Sequence, residues 1–299
     1  MTAPPLFICG PTAAGKSRIA LLLAEAFDGE IINADAFQLY RGLDVLTAAP
    51  GSDEKARVRH HLYGISDPGR AHDAESYRRL ALPLITEVAS RGKLPIVVGG
   101  SGLYLKFLTH GPSALPPGDP ELRRRLEATP LPDLVRQLEE LDPEGAGTVD
   151  RKNPRYVQRA LEICLLTGAP ASAQRRSFEQ KERPDLRGLM IQWPRPDLHE
   201  RIGQRTQTML ASGALAEVAD LPDGSPADRA IGVSQIRAHL AGLTDLEACC
   251  EQIAAATRQY AKRQETWFRR EKWLQPLPGK TTDDQVLAHM STHFPDIAL

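Results

Sequence analysis

Short apolar runs alternate along this chain with longer stretches in which apolar side chains recur every three or four positions. The run LFICG at 6–10 predicts a buried strand, and the polar turn after it opens a helix over about 16–27. EIINAD at 30–35 predicts a second strand, HLYGIS at 61–66 a weaker third, LPIVVGG at 94–100 a fourth, and GLMIQW at 188–193 a fifth. Pro95 is tolerable at the start of its strand. Apolar strands alternating with helices imply an α/β fold with a mainly parallel sheet covered on both faces.

The alternation breaks at HGPSALPPGDP, residues 110–120, which is rich in Pro and Gly and marks a boundary. Beyond it, PELRRRLE (120–127), LPDLVRQLEELD (131–142) and NPRYVQRALEICLLTG (153–168) carry helical periodicity only, the last ending at Gly168 as a C-cap. The polar stretch SAQRRSFEQKERPD (172–185) then leads back to the fifth strand. The expected organisation is a core made of residues 1–113 and 188–299, with an all-helical insertion at 114–187 and helices from the fifth strand to the C-terminus.

Composition narrows the class. At 299 residues, with 41% hydrophobic and 25% charged residues, the chain can bury a sizeable core, which excludes wholesale disorder or a fibre. No positive residue precedes Lys16 and the apolar run at 19–24 is short, so neither a secretory signal nor a membrane span is expected, and the cytoplasm is the expected location. Cys9, Cys164, Cys249 and Cys250 lack C-x-x-C spacing, which argues against a zinc site or a disulfide frame. A net charge of -1 does not advertise nucleic-acid binding, but residues 258–272 hold six Lys/Arg against two Glu. Alone, such a stripe reads as a solvated helix face.

The strongest chemical signal is Gly10-Pro11-Thr12-Ala13-Ala14-Gly15-Lys16-Ser17, which satisfies G-x-x-x-x-G-K-[ST] between a strand and a helix. Glycines let the backbone curl so that N–H groups and a helix N-terminus surround phosphate oxygens, while Lys16 adds charge and Ser17 offers a hydroxyl to Mg²⁺. A nucleoside triphosphatase also needs an acid at the end of a core strand. Here the best strand ends in Gly99, Gly100 and Ser101, and Asp67 is a weak candidate. The loop therefore suits a departing diphosphate as well as a triphosphate.

Eight blocks in order, GPTAAGKS, EIINADAFQLYRGLDVLTAAP, HHLYGISDP, PIVVGGSGLYLKFLTHG, NPRYVQRALEICLLTG, LHERIGQRTQTMLASGALAEV, DRAIGVSQ and TRQYAKRQETWFRR, resemble the tRNA dimethylallyltransferase (tRNA isopentenyltransferase) family over nearly the whole chain. The resemblance implies a P-loop-like core with a helical insertion. It also implies transfer of a dimethylallyl group from dimethylallyl diphosphate, with Mg²⁺, to the N6 amine of the adenine 3′ of the anticodon in tRNA. By that resemblance Asp35 is the base that relieves the weakly nucleophilic amine of its proton. Residues 10–17 hold the diphosphate, assisted by Ser101 and Arg229. Asp35, Ala36, Phe37 and Gln38 meet the adenine, whose edge Gln38 could pair with. Arg123, Arg155, Gln158, Arg159, Arg258 and Lys262 match tRNA-contacting positions. In isolation Asp35 reads as a cap or turn residue, Ser101 as a turn serine and Arg229 as a surface charge.

The chain departs from the family pattern at Ala36, Leu46, Ala49, Gly64 and Val233. The lysine lost at Ala49 and the hydroxyl lost at Ala36 would weaken substrate positioning or accompany an altered substrate. Alternative readings are an adenylate isopentenyltransferase, a P-loop kinase or NTPase, and a noncatalytic RNA-binding relative. A monomer is expected, since the RNA can supply the large interface.

Overall fold

The structure, a computed structural model, describes residues 4–111, 118–174 and 186–297. Much of the boundary segment at 110–120 and most of the polar return at 172–185 lie outside the described residues. The chain separates into two compact units, Met1–Leu108 with Asp185–Leu299, and Thr109–Pro184.

The larger unit is organised on a six-stranded parallel sheet of order β3-β2-β4-β1-β5-β6. Its strands are β1 Leu6–Cys9, β2 Gly29–Asn33, β3 His60–His61, β4 Leu94–Gly99, β5 Arg187–Gln192 and β6 Leu274–Pro278. β1, β2 and β4 are buried at every position, as a sheet covered on both faces requires. Successive side chains take opposite faces. Leu6, Ile8, Ile96, Val98, Leu189 and Ile191 pack against Ile19 and Leu23 of α1 (Lys16–Ala26). Phe7, Cys9, Val97 and Met190 face the other way, toward Tyr77 and Ile85 of α4 (Ala74–Ser90) and Leu105 of α5 (Gly102–His110). Between α1 and α4 lie the short α2 (Asp44–Thr47) and α3 (Ser52–Arg57).

Two expectations need correction. HLYGIS does not form a strand of that length: pairing is confined to His60–His61 and an isolated bridge between Tyr40 and Ser66. Leu62 at φ 65° and Gly64 at φ 59° turn the backbone left-handed and end the extension. The second correction is at the C-terminal end, where helices alone were expected. LQPLP forms β6, in register with β5 from Leu274 opposite Gly188 to Pro278 opposite Gln192. Pro276 and Pro278 are tolerated because β6 is an edge strand.

After β5 the larger unit continues with α10 (Arg195–Ala211), α11 (Ala214–Ala219), α12 (Val233–Leu240), α13 (Leu246–Phe268) and, beyond β6, α14 (Asp283–His293). The smaller unit contains α6 (Pro120–Glu127), α7 (Leu131–Leu141), α8 (Pro143–Thr148) and α9 (Pro154–Thr167). Each carries Pro in its first turn, where a missing N–H costs nothing. α9 is capped by Asn153 at its start and stops at Gly168, φ 66°. Leu126, Leu134, Leu138, Val157 and Leu161 form this unit's own core.

Candidate active site

The loops at the carboxyl ends of β1, β2 and β4 converge, which is where parallel α/β sheets place ligands. After β1 the chain must turn sharply against β5: a Cβ on Gly10 would lie 2.9 Å from the Ile191 carbonyl oxygen, and φ there is 145°. Ala13 and Gly15 also take positive φ, which curls the loop into α1, whose N-terminus has no side-chain cap. The uncapped amides face a cavity of about 380 Å³ whose walls include Gly15, Lys16, Ser17, Asp35, Arg201 and Arg205. Lys16 Nζ donates to the carbonyls of Gly10 and Pro11 at 3.1 and 2.8 Å. Burial pushes its ammonium down to about 8, against the opposing pull of Asp35.

Asp35 stands across the cavity at the end of β2. Asn33 fixes this turn: its Oδ1 accepts the Asp35 N–H at 2.7 Å, and its Nδ2 donates to Leu62 O at 2.9 Å. Asp35 Oδ1 in turn accepts the Phe37 N–H at 3.1 Å. The residue is thus a turn former and a wall of the cavity at once. Ser101 Oγ accepts the Ala36 N–H at 3.0 Å, holding the same turn from β4. The glycines where an acid was sought are explained by close approach. A Cβ on Gly99 would lie 2.2 Å from Ala34 O, on Gly100 2.1 Å from Gln264 Nε2, and on Gly102 2.4 Å from the Trp267 ring.

A second chamber of about 190 Å³ adjoins the first, and Thr12, Asp35, Thr47 and Arg205 line both. Its inner wall is apolar and buried: Leu46, Ile202, Met209 and Ile253. Its rim carries Phe37, Tyr260 and the exposed Arg229 and Arg263. Arg229 lines this chamber, beside Ala230 and Ile231.

Two arginines not singled out from the sequence line the first cavity. Arg205 donates to Thr12 Oγ1 at 3.0 Å and Thr47 O at 3.2 Å, and burial lowers its pKa while Asp35 raises it. Arg201 Nε donates to Ala13 O at 2.8 Å, and its guanidinium stacks 4.4 Å from the Trp193 ring centroid. Their i, i+4 spacing within HERIGQRTQ, on an amphipathic helix, was the available signal.

The residues expected at tRNA fall in both units. Gln38 Nε2 donates to both Thr47 O and Ala48 O at 3.0 Å. In the smaller unit Arg123 and Arg159 bond Glu162 at 2.8 and 2.6 Å, and Glu162 is buried. Burial pushes that carboxyl up, but the Arg159 and Arg123 guanidiniums outweigh it and hold the pKa low. Gln158 reaches Leu126 O at 3.5 Å, whereas Arg155 is exposed on the first turn of α9. In the larger unit Arg258 and Lys262 of α13 share a groove with Arg195 and His199 of α10.

Among the described residues no group of three or more His, Cys, Asp or Glu could hold a metal. A Mg²⁺ carried by substrate phosphates needs only one or two protein oxygens, and Ser17 in the cavity wall fits that requirement. No helix among the described residues is long and apolar enough to cross a membrane.

A parallel sheet that presents a phosphate loop beside a carboxylate and an apolar chamber defines a P-loop-like α/β enzyme of the group-transfer type. Residues 38–271 match the family described as IPP transferase, and the chain belongs to that family. It is 44% identical to a tRNA dimethylallyltransferase of Akkermansia muciniphila over 93% of this chain and 94% of the relative, and 43% identical to one of Halorhodospira halophila over 90% and 91%. Among solved structures, the tRNA isopentenylpyrophosphate transferase of Bacillus halodurans superposes with TM-score 0.71 at 31% identity, covering 98% of this chain and 96% of that one. A eukaryotic dimethylallyltransferase acting on tRNA gives TM-score 0.77 at 27% identity, covering 98% and 77%.

Proposed function

We propose that this chain transfers the dimethylallyl group of dimethylallyl diphosphate to the N6 amine of the adenine 3′ of the anticodon in tRNA and releases diphosphate. The observation that carries this reading is that Asp35 belongs to the walls of both the phosphate cavity and the apolar chamber. A donor with its diphosphate in the loop has its hydrocarbon beside that carboxylate, where an amine entering from the rim can meet it.

In this mechanism the N6–C1 bond forms as the C1–O bond to diphosphate breaks, and the amine proton passes to Asp35. Lys16, the loop amides and Arg205 stabilise the charge gathering on the leaving group, already aimed at it before reaction. Arg201 braces the loop through Ala13 O. Mg²⁺, held by Ser17 and the diphosphate, would neutralise part of the same charge. The apolar wall keeps water from the allylic carbon. The adenine must leave its stack to enter past Phe37 and Tyr260. Arg258 and Lys262, together with Arg155 in the helical unit, take phosphate-contacting roles, which leaves the helical unit a tRNA-binding function. The chain works as a cytoplasmic monomer in this reading.

The test is incubation with labelled dimethylallyl diphosphate, Mg²⁺ and unmodified tRNA. Label on the tRNA is expected. Label on free AMP instead would reassign the acceptor, and no label on either would overturn the reading.

A further inference from the structure

We infer that Trp193 is a positioning residue for the phosphate loop, one that raises this chain's affinity for the donor diphosphate above what the loop residues alone provide; this rests on the proposed prenyl transfer. The loop has two sides. One borders the phosphate cavity, whose wall Gly15, Lys16 and Ser17 share with Asp35 and Arg205. The other borders a rear cavity of about 290 Å³ whose walls include Ala14, Trp193, Arg201 and Gly279. Ala14 and Trp193 line the rear cavity and not the phosphate cavity, whereas Gly15 and Arg201 line both.

From the rear side the indole holds two consecutive loop carbonyls. Its Nε1–H donates to Ala14 O at 2.9 Å, and its ring carries the guanidinium of Arg201, whose Nε donates to Ala13 O at 2.8 Å. In a planar trans peptide the carbonyl and the following N–H point in opposite directions. Pinning Ala14 O from behind therefore aims the Gly15 N–H forward, at the phosphate cavity that Gly15 lines. Pinning Ala13 O turns the Ala14 N–H toward Pro11 O, at 3.3 Å, and holds Ala13 at φ 63°, a left-handed conformation that a side chain disfavours. The ring itself has little freedom. A Cβ on Gly279 would fall 1.9 Å from its Nε1, and the Gly279 N–H is tied at 2.7 Å to the carbonyl of Gln192, the residue just before Trp193. An amide already aimed needs no reorganisation when the anion arrives, whereas one free to swing does.

The experiment titrates inorganic diphosphate, with Mg²⁺, into the wild type, Trp193→Phe and Trp193→Leu by calorimetry, and measures KM for dimethylallyl diphosphate, KM for tRNA and the thermal midpoint in parallel. Phenylalanine keeps an aromatic face for Arg201 but loses the N–H donor; leucine loses both. In Trp193→Phe, Kd for diphosphate and KM for the donor should rise together by roughly 3- to 10-fold. In Trp193→Leu they should rise by roughly a further 2- to 5-fold, with KM for tRNA unchanged in both. Trp193 is half-buried, so the phenylalanine variant keeps most of the packing and decides the matter alone if the leucine variant does not fold. A lower thermal midpoint with unchanged Kd in Trp193→Phe overturns the inference, because the indole then serves packing only. Equal rises in Kd for diphosphate and KM for tRNA overturn it too, as the mark of general distortion. A wild type that binds no diphosphate overturns the proposed function itself, a result distinct from either.

Discussion

Gln264 and Thr12 are 252 positions apart, yet the Gln264 side-chain Oε1 accepts the Thr12 N–H at 2.8 Å while its Nε2 donates to Gly100 O at 2.9 Å. One buried amide of α13 thus ties the phosphate loop to the end of β4. The same helix carries Arg258 and Lys262 in the basic groove. Replacing Gln264 by Leu keeps the volume but strands a loop amide and a carbonyl, at a cost of about 1–3 kcal/mol for each group left unsatisfied. The expected result is a rise in KM for the donor of roughly 10-fold with KM for tRNA little changed, measured by steady-state kinetics with each substrate varied in turn. Equal rises in both would show that the residue serves only general stability.

The depressed Lys16 pKa carries a pH signature. In the free protein the ammonium loses its proton near pH 8, and the neutral amine no longer attracts diphosphate. Donor kcat/KM should therefore fall as pH rises through about 8, while Lys16→Arg, which cannot titrate there, should lose overall rate but not show that fall. Stability has the opposite sign. Between about 8 and the ordinary lysine value of 10.5 the unfolded chain binds more protons than the folded one, so stability contributed at this site rises with pH across that window. Denaturant titrations of the substrate-free protein at pH 7.5 and 9.5, compared between wild type and Lys16→Met, check it.

Much of this architecture was legible because its signals are local. The runs at β1 and β4 are continuous and apolar, and the phosphate loop sits in the one context that gives it meaning. What the sequence hid was nonlocal or non-periodic. β6 reads LQPLP, with two prolines and no β-branched residue, and becomes a strand only because β5 offers it an edge. The committed amide of Gln38 depends on where Thr47 and Ala48 fold back, which no spacing reveals. Among the departures, Leu46 and Val233 fall in one buried cluster, and Gly64 occupies a left-handed position that suits glycine. Ala49 has no structural explanation.

Arg123 and Arg155 separate two roles within the helical unit. Arg123 neutralises buried Glu162 from the outside, with Arg159 completing the pair, so its removal leaves a carboxylate short of a partner. Arg123→Ala should destabilise this unit by about 3 kcal/mol or less, less than a fully buried pair because the guanidinium is half exposed. Arg155→Ala should stay within about 0.5 kcal/mol of wild type. Its effect should appear in tRNA binding, as a salt slope shallower by about one. Differential scanning calorimetry and binding isotherms at several salt concentrations make both comparisons.

Asp35 offers the cleanest test of the chemistry because its two duties can be separated. Its structural duty is to accept the Phe37 N–H through Oδ1 at 3.1 Å, and an asparagine carbonyl oxygen in the same place can accept that bond equally well. Its chemical duty is to accept a proton as the N6–C1 bond forms, which a neutral amide cannot do. Asp35→Asn should therefore keep the turn, the thermal midpoint and the KM for tRNA, while kcat falls by roughly 10²- to 10⁴-fold, the usual worth of general base catalysis. A variant that folds and binds normally and turns over at the wild-type rate would remove Asp35 from the mechanism. If KM for tRNA rose with kcat intact, the carboxylate would be a recognition element for the adenine and the base would have to be sought elsewhere along the shared wall.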